Sequence, residues 1–461
     1  MRVQRAGERA QVDGAVVTPP TPTLDDTHSA SLRSWVPGAH DSGSDFPVQN
    51  LPFGVFRRTG DLAPRVGIAI GDQVLDCLVA EREGCFDALT PAAREALRAP
   101  SLNALLSLGR GAARAVRGAA SLLLREDSRE GLRARALQDS VLAAPREVAF
   151  LLPAAVGDYT DFYASLFHAT NVGALFRPDS PLLPNYKHVP IGYHGRASSI
   201  VVSGTPVRRP QGQTRPDAGA PPLFGATLSL DYELELGAWV CGENAIGERV
   251  PLADAEERVC GVSLLNDWSA RDVQSWEYQP LGPFLAKSFA TTVGPWVVTL
   301  DALEPFRVSA FERAAEDPAP MPYLTDARDQ SRGGFDITLE VWLRTAAMRS
   351  ASLAPVRISR GNFATMYWTL GQLITHHTSN GCNLRPGDLV GSGTVSGADA
   401  GARGCLLEIT QRGTHLLTLP SRETRAFLAD GDEVILRGWC ERAGAVRIGF
   451  GECRGEILAA T

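Results

Sequence analysis

The 461-residue sequence lacks the features that mark membrane, secreted and nucleic-acid-binding proteins. No apolar run is long enough to span a bilayer, and the longest candidate, residues 148–157, is interrupted by Pro153. The first residues, MRVQRAGERAQVDG, contain no apolar signal core. The formal net charge is −7, from 45 basic and 52 acidic residues, which argues against a phosphate-binding surface. We therefore expect a cytoplasmic enzyme or binding protein with no membrane or nucleic-acid partner.

Paired cysteines are also lacking. The chain contains eight cysteines but no C-x-x-C pair, so neither a zinc ribbon nor a thioredoxin-like site is supported. We expect reduced and mostly buried thiols, as is usual for cytosolic proteins.

What the chain does contain is turn-forming residues: 45 glycines and 31 prolines predict a fold rich in β-strands and turns. The stretch VVTPPTPTLDDTHSA is rich in Pro, Thr and Asp, and we expect residues 1–22 to form a disordered extension. Residues 23–145 form the predicted N-terminal domain. In it, RVGIAIGDQVLD indicates a β-hairpin turning at Gly71-Asp72. Thr90-Pro91 begins a helical linker.

Residues 146–461 form the predicted second domain, made of many short strands that start with the segment around residues 140–150. One helix interrupts them, in NFATMYWTLGQLITHHTSNG. Asn362 is its predicted N-cap and Asn380-Gly381 its predicted end. His376 and His377 lie near the helix end, where a structural role is expected.

The segment TLSLDYELELGAWV combines an apolar and an acidic face. Strict alternation from Leu228 to Leu236 predicts a strand whose leucines and Tyr232 pack inward. Asp231, Glu233 and Glu235 then share the opposite face, where they repel one another unless solvent or cations neutralise them. An ordinary solvent-exposed sheet face explains this strand equally well.

Two further clusters make a site the better interpretation. GDYTDFYASLFHATNVG contains Asp161, Tyr163 and His168. In LLNDWSARDVQSWEYQPLGPFLAKSFATT, helical spacing places an acid, a guanidinium, an amide and a phenol on one stripe, formed by Asp267, Arg271, Gln274 and Tyr278. A solvated helix face with an internal ion pair is the alternative.

If these carboxylates lie close together in the folded chain, the type of their ligand atoms indicates which metal ion they bind. Oxygen ligands without thiolates suit Mg²⁺ or Ca²⁺. His168 is then a candidate general base. Glu408, in the stretch CLLEIT that we interpret as a strand, has apolar neighbours and needs a partner. The loop GSGTVSG can bring backbone amides and Thr394 against a ligand.

Several long segments closely resemble the fumarylacetoacetate hydrolase family. They are GDYTDFYASLFHATNVG, LPNYKHVPIGYHGRASSIVVSGTPVRRPQGQ, DYELELG, LLNDWSARDVQSWEYQPLGPFLAKSFATTVGPWVV and NGCNLRPGDLVGSGTVSG. The resemblance extends from about Leu24 to the C-terminus and includes FPVQNLPFGVF. It implies a mostly β fold with some α, in which a small Src-homology-3-like N-terminal barrel precedes a larger β-rich catalytic, metal-binding domain. It also implies a homodimer.

The implied reaction is hydrolysis of 4-fumarylacetoacetate to fumarate and acetoacetate, the last step of phenylalanine and tyrosine breakdown. The matching motifs imply carboxylate ligands for Mg²⁺ or Ca²⁺ at Asp161, Glu233, Glu235 and Asp267, with further metal-site contacts at Lys287 and Thr291. They imply a general base at His168 oriented by Glu408, and oxyanion stabilisation by Arg271, Gln274 and Lys287. Implied substrate contacts are Tyr163, Arg177, Tyr193, Gln274, Tyr278 and Thr394. The motif assigns Asp231 no role, and we expect it outside the metal's ligand set.

Two rival functions remain at this point. An acylpyruvate hydrolase, an oxaloacetate decarboxylase or a hydratase with the same catalytic domain needs the metal carboxylates but not every substrate contact. The other rival is a binding module with a structural Ca²⁺, in which His168, Glu408 and the proposed oxyanion donors have no function.

Overall fold

The computed structural model describes residues 24–217 and 219–461, so the extension predicted at residues 1–22 lies outside the described residues. Among the described residues, no helix is long and apolar enough to cross a membrane. All eight cysteines are free, and six of them are buried, as expected.

A five-stranded antiparallel sheet forms the N-terminal part, with strand order β4-β3-β2-β1-β5. Its strands are β1 (Phe53–Arg58), β2 (Arg65–Ile70), β3 (Gln73–Asp76), β4 (Leu142–Ala143) and β5 (Val148–Leu151). The sheet curls into a half-barrel, which confirms the small N-terminal β unit. The hairpin at Gly71-Asp72 is confirmed as well: Ile70 pairs with Gln73, and Gly71 has a φ of 56°, a conformation that glycine adopts without strain.

The strand that we expected to open the second region instead completes the first sheet, because β5 pairs with β1 along Val148–Leu151. The choice of residue 146 as a domain boundary stays a prediction.

Helices fill the connection between β3 and β4. They are α1 (Cys77–Arg82), α2 (Pro91–Leu97), α3 (Asn103–Ser107), α4 (Arg110–Leu124), α5 (Arg129–Ala136) and α6 (Gln138–Val141). The predicted start at Thr90-Pro91 is confirmed, since the Thr90 hydroxyl accepts a hydrogen bond from the Ala93 amide. Apolar residues of this part, such as Ile68 and Val116, share one core with Trp239 and Leu265 of the following part.

The remainder of the chain is built around two larger sheets. Its strands are β6 (Tyr159–Phe162), β7 (Gly192–His194), β8 (Ile200–Val202), β9 (Val207–Arg208), β10 (Gln211–Thr214), β11 (Leu223–Ala226), β12 (Leu230–Asp231), β13 (Leu234–Val240), β14 (Val259–Asp267), β15 (Ser269–Ala270), β16 (Thr291–Val293), β17 (Val298–Thr299), β18 (Arg307–Val308), β19 (Gly334–Phe335), β20 (Thr338–Arg344), β21 (Val356–Asn362), β22 (Leu389–Gly391), β23 (Leu417–Thr418), β24 (Thr424–Arg425), β25 (Glu433–Cys440) and β26 (Ile448–Leu458). Its helices are α7 (Leu166–Phe176), α8 (Leu252–Ala255), α9 (Arg271–Glu277), α10 (Ala327–Arg332), α11 (Ala346–Ser350), α12 (Leu370–Thr378) and α13 (Leu406–Ile409).

One sheet has the order β7-β6-β22-β13-β14-β16-β8, with β17 also pairing with β14, and the other has the order β21-β20-β25-β26-β9. A single apolar core joins side chains from both sheets and from α12, including Leu236, Leu264, Val341, Leu373 and Leu436. The mostly β fold with some α is thereby confirmed.

The helix predicted from Asn362 begins later than expected. Asn362 caps only a short 3₁₀ turn, Phe363–Thr365, and the helix proper starts after Thr369. Thr369 and Gln372 form a reciprocal capping box there, which is a stronger start signal than a single asparagine. The predicted end at Gly381 agrees with its φ of 88°.

Candidate active site

Four carboxylates meet where neighbouring strands of the central sheet end or begin. Asp161 lies in β6, Glu235 in β13 and Asp267 at the end of β14, while Glu233 immediately precedes β13. One oxygen of each lies within 4.8 Å of the others, and all four side chains are buried. The alternative interpretation, in which these acidic residues lie on a solvent-exposed sheet face, is therefore wrong.

The predicted alternation of core-facing apolar residues with acidic residues holds for most of the segment TLSLDYELELGAWV. Leu230, Tyr232, Leu234 and Leu236 are buried in the core, as predicted. Leu228 is 85% exposed, so its predicted inward position is wrong. The strand is also interrupted between β12 and β13, and this break separates Asp231 from the two glutamates.

Glycine on the adjacent strand makes room for the cluster. A Cβ atom at Gly391 of β22 would lie 2.5 Å from Asp161 Oδ1, closer than van der Waals contact allows. The Gly393 amide, two residues further on, donates hydrogen bonds to Asp161 Oδ1 at 3.2 Å and to Glu235 Oε2 at 3.1 Å. The GSGTVSG loop thus contributes a backbone donor, as its composition suggested.

Positive charge lies on one side of the cluster. The Lys287 ammonium donates to Asp267 Oδ2 at 2.7 Å and also to Glu233. Asp267 additionally accepts hydrogen bonds from Thr291 Oγ1 at 2.9 Å and from the Tyr193 hydroxyl at 2.7 Å. Lys287 and Thr291 therefore contact the carboxylates themselves.

The pKa values of the cluster reflect this asymmetry. Burial would raise the pKa of Glu233, but Lys287 and Arg271 outweigh it and hold that pKa well below its usual range. Burial and the neighbouring carboxylates raise the pKa values of Asp161 and Glu235 far above theirs. Glu235 Oε1 is buried and has no hydrogen-bond partner among the described residues. Two carboxylates with raised pKa values and an unpartnered oxygen suit a hard divalent cation.

A histidine–glutamate pair borders the cluster. His168 lies in the first turn of α7, which Ser165 caps by accepting a hydrogen bond from the His168 amide. Its Nδ1 lies 2.6 Å from Glu408 Oε2, and its Nε2 lies 3.9 Å from Glu233 Oε1. Since a carboxylate accepts at Nδ1, the Nε2 atom is left to face the carboxylate cluster.

Glu408 is held by several donors besides His168. Asn171 Nδ2 donates to its Oε1 at 2.8 Å, while Ser396 Oγ at 2.9 Å and Cys405 Sγ at 3.2 Å donate to its Oε2. Burial alone would raise the pKa of Glu408, but His168 and these hydrogen bonds lower it to about 2. Glu408 lies in the helix α13, so the predicted strand is wrong here: apolar neighbours on both sides are compatible with a buried helical turn too.

The predicted stripe of Asp267, Arg271, Gln274 and Tyr278 is not one helix face. Asp267 ends β14, helix α9 begins only at Arg271, and Tyr278 is the residue that caps its end. Arg271 and Gln274 are on one helix, with Arg271 Nη1 donating to Gln274 Oε1 at 3.1 Å. The short strand β15 lies between Asp267 and the helix, so Asp267 is not on the helix face.

Arg271 lies between two carboxylates. Its Nε donates to Asp231 Oδ2 at 3.0 Å, and its Nη2 lies 2.8 Å from Glu233 Oε1. That second contact is not aligned as a hydrogen bond, so Nη2 has no such partner among the described residues although it is buried. Arg271 therefore retains a donor atom next to the cluster.

Many of these groups line one cavity of about 510 Å³. Asp267 and Glu408 do not line it but contact the lining residues Lys287 and His168, and Thr291 in turn contacts Asp267. Each of the six side chains predicted to contact a substrate lines it: Tyr163, Arg177, Tyr193, Gln274, Tyr278 and Thr394. Asp161, His168, Glu233, Glu235, Arg271 and Lys287 line it as well. Apolar lining residues that the sequence analysis did not single out include Phe176, Leu183 and Ile191, although Leu183 and Ile191 lie within one of the segments that resemble the family.

His376 and His377 are not among the residues that line this cavity. His377 Nε2 lies 2.9 Å from Thr160 Oγ1, and His376 Nδ1 lies 2.9 Å from the Tyr323 hydroxyl. Burial lowers the pKa of both rings. These contacts agree with the structural role expected for them.

A buried carboxylate cluster facing a histidine–glutamate pair within one cavity defines the class of metal-dependent hydrolases. Comparison with known proteins narrows this class. The profile "Fumarylacetoacetate (FAA) hydrolase C-terminal" matches residues 159–458, and "Fumarylacetoacetase N-terminal" matches residues 49–153. The chain belongs to the fumarylacetoacetate hydrolase family.

Curated relatives match over nearly their whole length. The fumarylacetoacetase of Bos taurus is 48% identical over 435 residues, covering 93% of this chain and 99% of the relative. That of Homo sapiens is 48% identical over 436 residues with the same coverage, and that of Caenorhabditis elegans is 49% identical over 421 residues, covering 90% and 97%. Among solved structures, fumarylacetoacetate hydrolase from psychrophilic Exiguobacterium antarcticum matches with a TM-score of 0.48 at 18% identity, covering 89% of this chain and 99% of that chain.

Proposed function

We propose that this chain hydrolyses 4-fumarylacetoacetate to fumarate and acetoacetate, the last step of phenylalanine and tyrosine breakdown. The observation that carries the proposal is the position of His168: one ring nitrogen is bound to Glu408 while the other faces the four-carboxylate cluster across the same cavity. Relatives named fumarylacetoacetase, 48% identical over 99% of their length, support this substrate.

Asp161, Glu233, Glu235 and Asp267 are the proposed ligands of Mg²⁺ or Ca²⁺, with Lys287 and Thr291 as further contacts of the metal site. Three features support this: the oxygen-only donor set, its burial, and the unpartnered Oε1 atom of Glu235. A cation held by these carboxylates would supply Lewis-acid stabilisation to a 1,3-diketone substrate.

His168 is the proposed general base. It removes a proton from water, and the water oxygen forms a bond to the fumaryl carbonyl carbon. The negatively charged Glu408 orients the ring through Nδ1 and stabilises the protonated ring that results. Cleavage of the carbon–carbon bond leaves the electron pair on the acetoacetate carbon, which then takes up the proton that His168 accepted from water.

Arg271, Gln274 and Lys287 are the proposed donors to the tetrahedral oxyanion. The Nη2 atom of Arg271 supports this role, because it is buried beside the cluster and has no aligned hydrogen-bond partner in the part of the chain that the structure describes. Preorganised donors of this kind lower the barrier because they need no rearrangement as charge develops.

The remaining cavity residues are proposed to position the substrate. Arg177 lies at the cavity and suits a terminal carboxylate, since a guanidinium offers paired donors. Tyr163, Tyr193, Tyr278 and Thr394 supply hydroxyl groups along the same lining.

We also propose a homodimer that works in the cytoplasm. Large apolar side chains are exposed around α9 and the neighbouring hairpin of β10 and β11, among them Phe224, Trp276, Leu281 and Phe284. Such a patch favours burial against a second copy of the chain. Free, mostly buried thiols are typical of a reducing compartment.

A substrate comparison tests the proposed reaction. The purified enzyme with Mg²⁺ or Ca²⁺ is incubated with 4-fumarylacetoacetate, with a shorter acylpyruvate and with oxaloacetate, and the products are quantified. We expect equal amounts of fumarate and acetoacetate, and the highest kcat/KM for fumarylacetoacetate. A higher kcat/KM for acylpyruvate or oxaloacetate would replace the proposed substrate, and no turnover of any of them would favour a binding module.

A further inference from the structure

Asp231 is a buried carboxylate beside the site to which the proposed chemistry gives no task. Its exposed fraction is 0%, and it lies two residues before Glu233 at the end of β12. It is not a member of the four-carboxylate cluster. Burying a charge in this way is costly unless every oxygen is well paired.

Four donors satisfy the two oxygens. Oδ2 accepts hydrogen bonds from Arg271 Nε at 3.0 Å and from the Leu407 amide at 2.9 Å. Oδ1 accepts from the Leu406 and Tyr232 amides, both at 2.8 Å. The carboxylate is therefore a direct link between the guanidinium of Arg271 and the first turn of α13.

The two ends of this link belong to different parts of the site. Helix α13 carries Glu408, which is bound to His168, so this end is fixed to the proposed base. At the other end, Arg271 directs Nη2 towards Glu233 and Nη1 towards Gln274. Asp231 thus connects the helix that carries Glu408 to the proposed oxyanion donor Arg271.

We propose that Asp231 is a positioning residue that holds Arg271 in place for the oxyanion, with α13 as its anchor. The inference rests on the proposed function, because it requires Arg271 to act in the reaction. An amide cannot replace this carboxylate, since all four neighbours are donors and one side of an amide is itself a donor.

The test is a double-mutant cycle measured on 4-fumarylacetoacetate with saturating Mg²⁺. We expect Asp231→Asn to lower kcat at least tenfold with KM nearly unchanged, since the oxyanion exists only after attack and misplacement by about 1 Å can cost about a hundredfold in rate. In an Arg271→Ala background, the same substitution should change kcat by less than threefold. The metal affinity of Asp231→Asn, measured by calorimetry, should stay within threefold of that of the unsubstituted enzyme.

Asp272→Asn is the matched control. Asp272 is the next residue of α9 after Arg271, and its carboxylate accepts from Thr227 Oγ1, from the Leu228 amide and from the Val273 amide. This control should leave kcat within twofold of the unsubstituted enzyme. Asp231→Ser, which leaves room for water at the four donors, is a second variant should Asp231→Asn not fold.

The outcomes separate the two proposals. If the unsubstituted enzyme releases no fumarate, the proposed function fails and this inference with it. If the enzyme is active but Asp231→Asn lowers kcat equally with and without Arg271, or lowers only the melting temperature, Asp231 is merely structural. Failure of both Asp231 variants to fold would equally assign it a structural role and overturn the inference.

Discussion

Replacement of Glu408 by glutamine is the substitution whose effect the structure predicts in most detail. Among the described residues, the donors to Oε2 are His168, Ser396 and Cys405, and the only donor to Oε1 is Asn171. In Glu408→Gln, the amide oxygen should therefore occupy the side with three donors and the amide nitrogen should face Asn171. The tautomer of His168 is retained in that arrangement, whereas the negative charge and the hydrogen bond from Asn171 Nδ2 are lost.

The size of the effect follows from the pKa of Glu408. His168 is the largest cause that lowers this pKa, from 4.5 to about 2. This net lowering, which combines burial, His168 and the other hydrogen bonds, corresponds to about 3 kcal/mol in favour of the charged carboxylate, at about 1.4 kcal/mol per pKa unit, with His168 as its largest favourable part. The same interaction stabilises the protonated ring formed when His168 accepts a proton from water. Without it, we expect kcat to fall about a hundredfold.

The assay measures kcat for fumarylacetoacetate and metal affinity for Glu408→Gln, with Asn171→Ala as the control. The control removes a neutral donor but keeps the charge, and should lower kcat by less than about tenfold, as expected for one hydrogen bond. Metal affinity should not change in either variant. A kcat of Glu408→Gln within threefold of the unsubstituted enzyme would refute the reasoning.

Further predictions concern the base, the ligands and acid stability. His168→Ala should abolish turnover with metal affinity nearly intact, and substantial residual activity would exclude a general base. Glu233→Gln should weaken Mg²⁺ or Ca²⁺ binding in calorimetry. Gly391→Ala should also weaken it, because the added Cβ would lie 2.5 Å from Asp161 Oδ1, and unchanged affinity would contradict this. Because its pKa is lowered, Glu408 stabilises the folded protein above about pH 4.5, and this contribution is lost as the pH falls towards 2. Denaturant titrations over this pH range should therefore show a smaller decrease in the free energy of unfolding for Glu408→Gln than for the unsubstituted enzyme.

Sequence patterns predicted the features that depend on residues close to one another in the chain. The Gly71-Asp72 turn and the Thr90 cap depend on neighbours within a few residues, and both agree with the structure. Alternation correctly placed Tyr232 in the core and the acidic residues on the opposite side. Leu228 was misplaced because the pattern does not show where a strand begins.

Other features depend on distant contacts. Helical spacing joined Asp267 to Arg271, although the short strand β15 separates the end of β14 from helix α9. The contact between His168 and Glu408 joins residues 240 positions apart, and no spacing rule reveals it. The resemblance to a known family supplied that pairing, whereas the contacts of Asp231 became visible only in the folded chain.

The most direct test of the account follows the ultraviolet absorbance of fumarylacetoacetate with chelator-stripped enzyme, before and after addition of Mg²⁺ or Ca²⁺. The account predicts that the diketone band persists without metal and disappears once metal is added, with fumarate and acetoacetate formed in equal amounts. Metal-independent loss of the band, or no loss from folded enzyme with either metal, would contradict it.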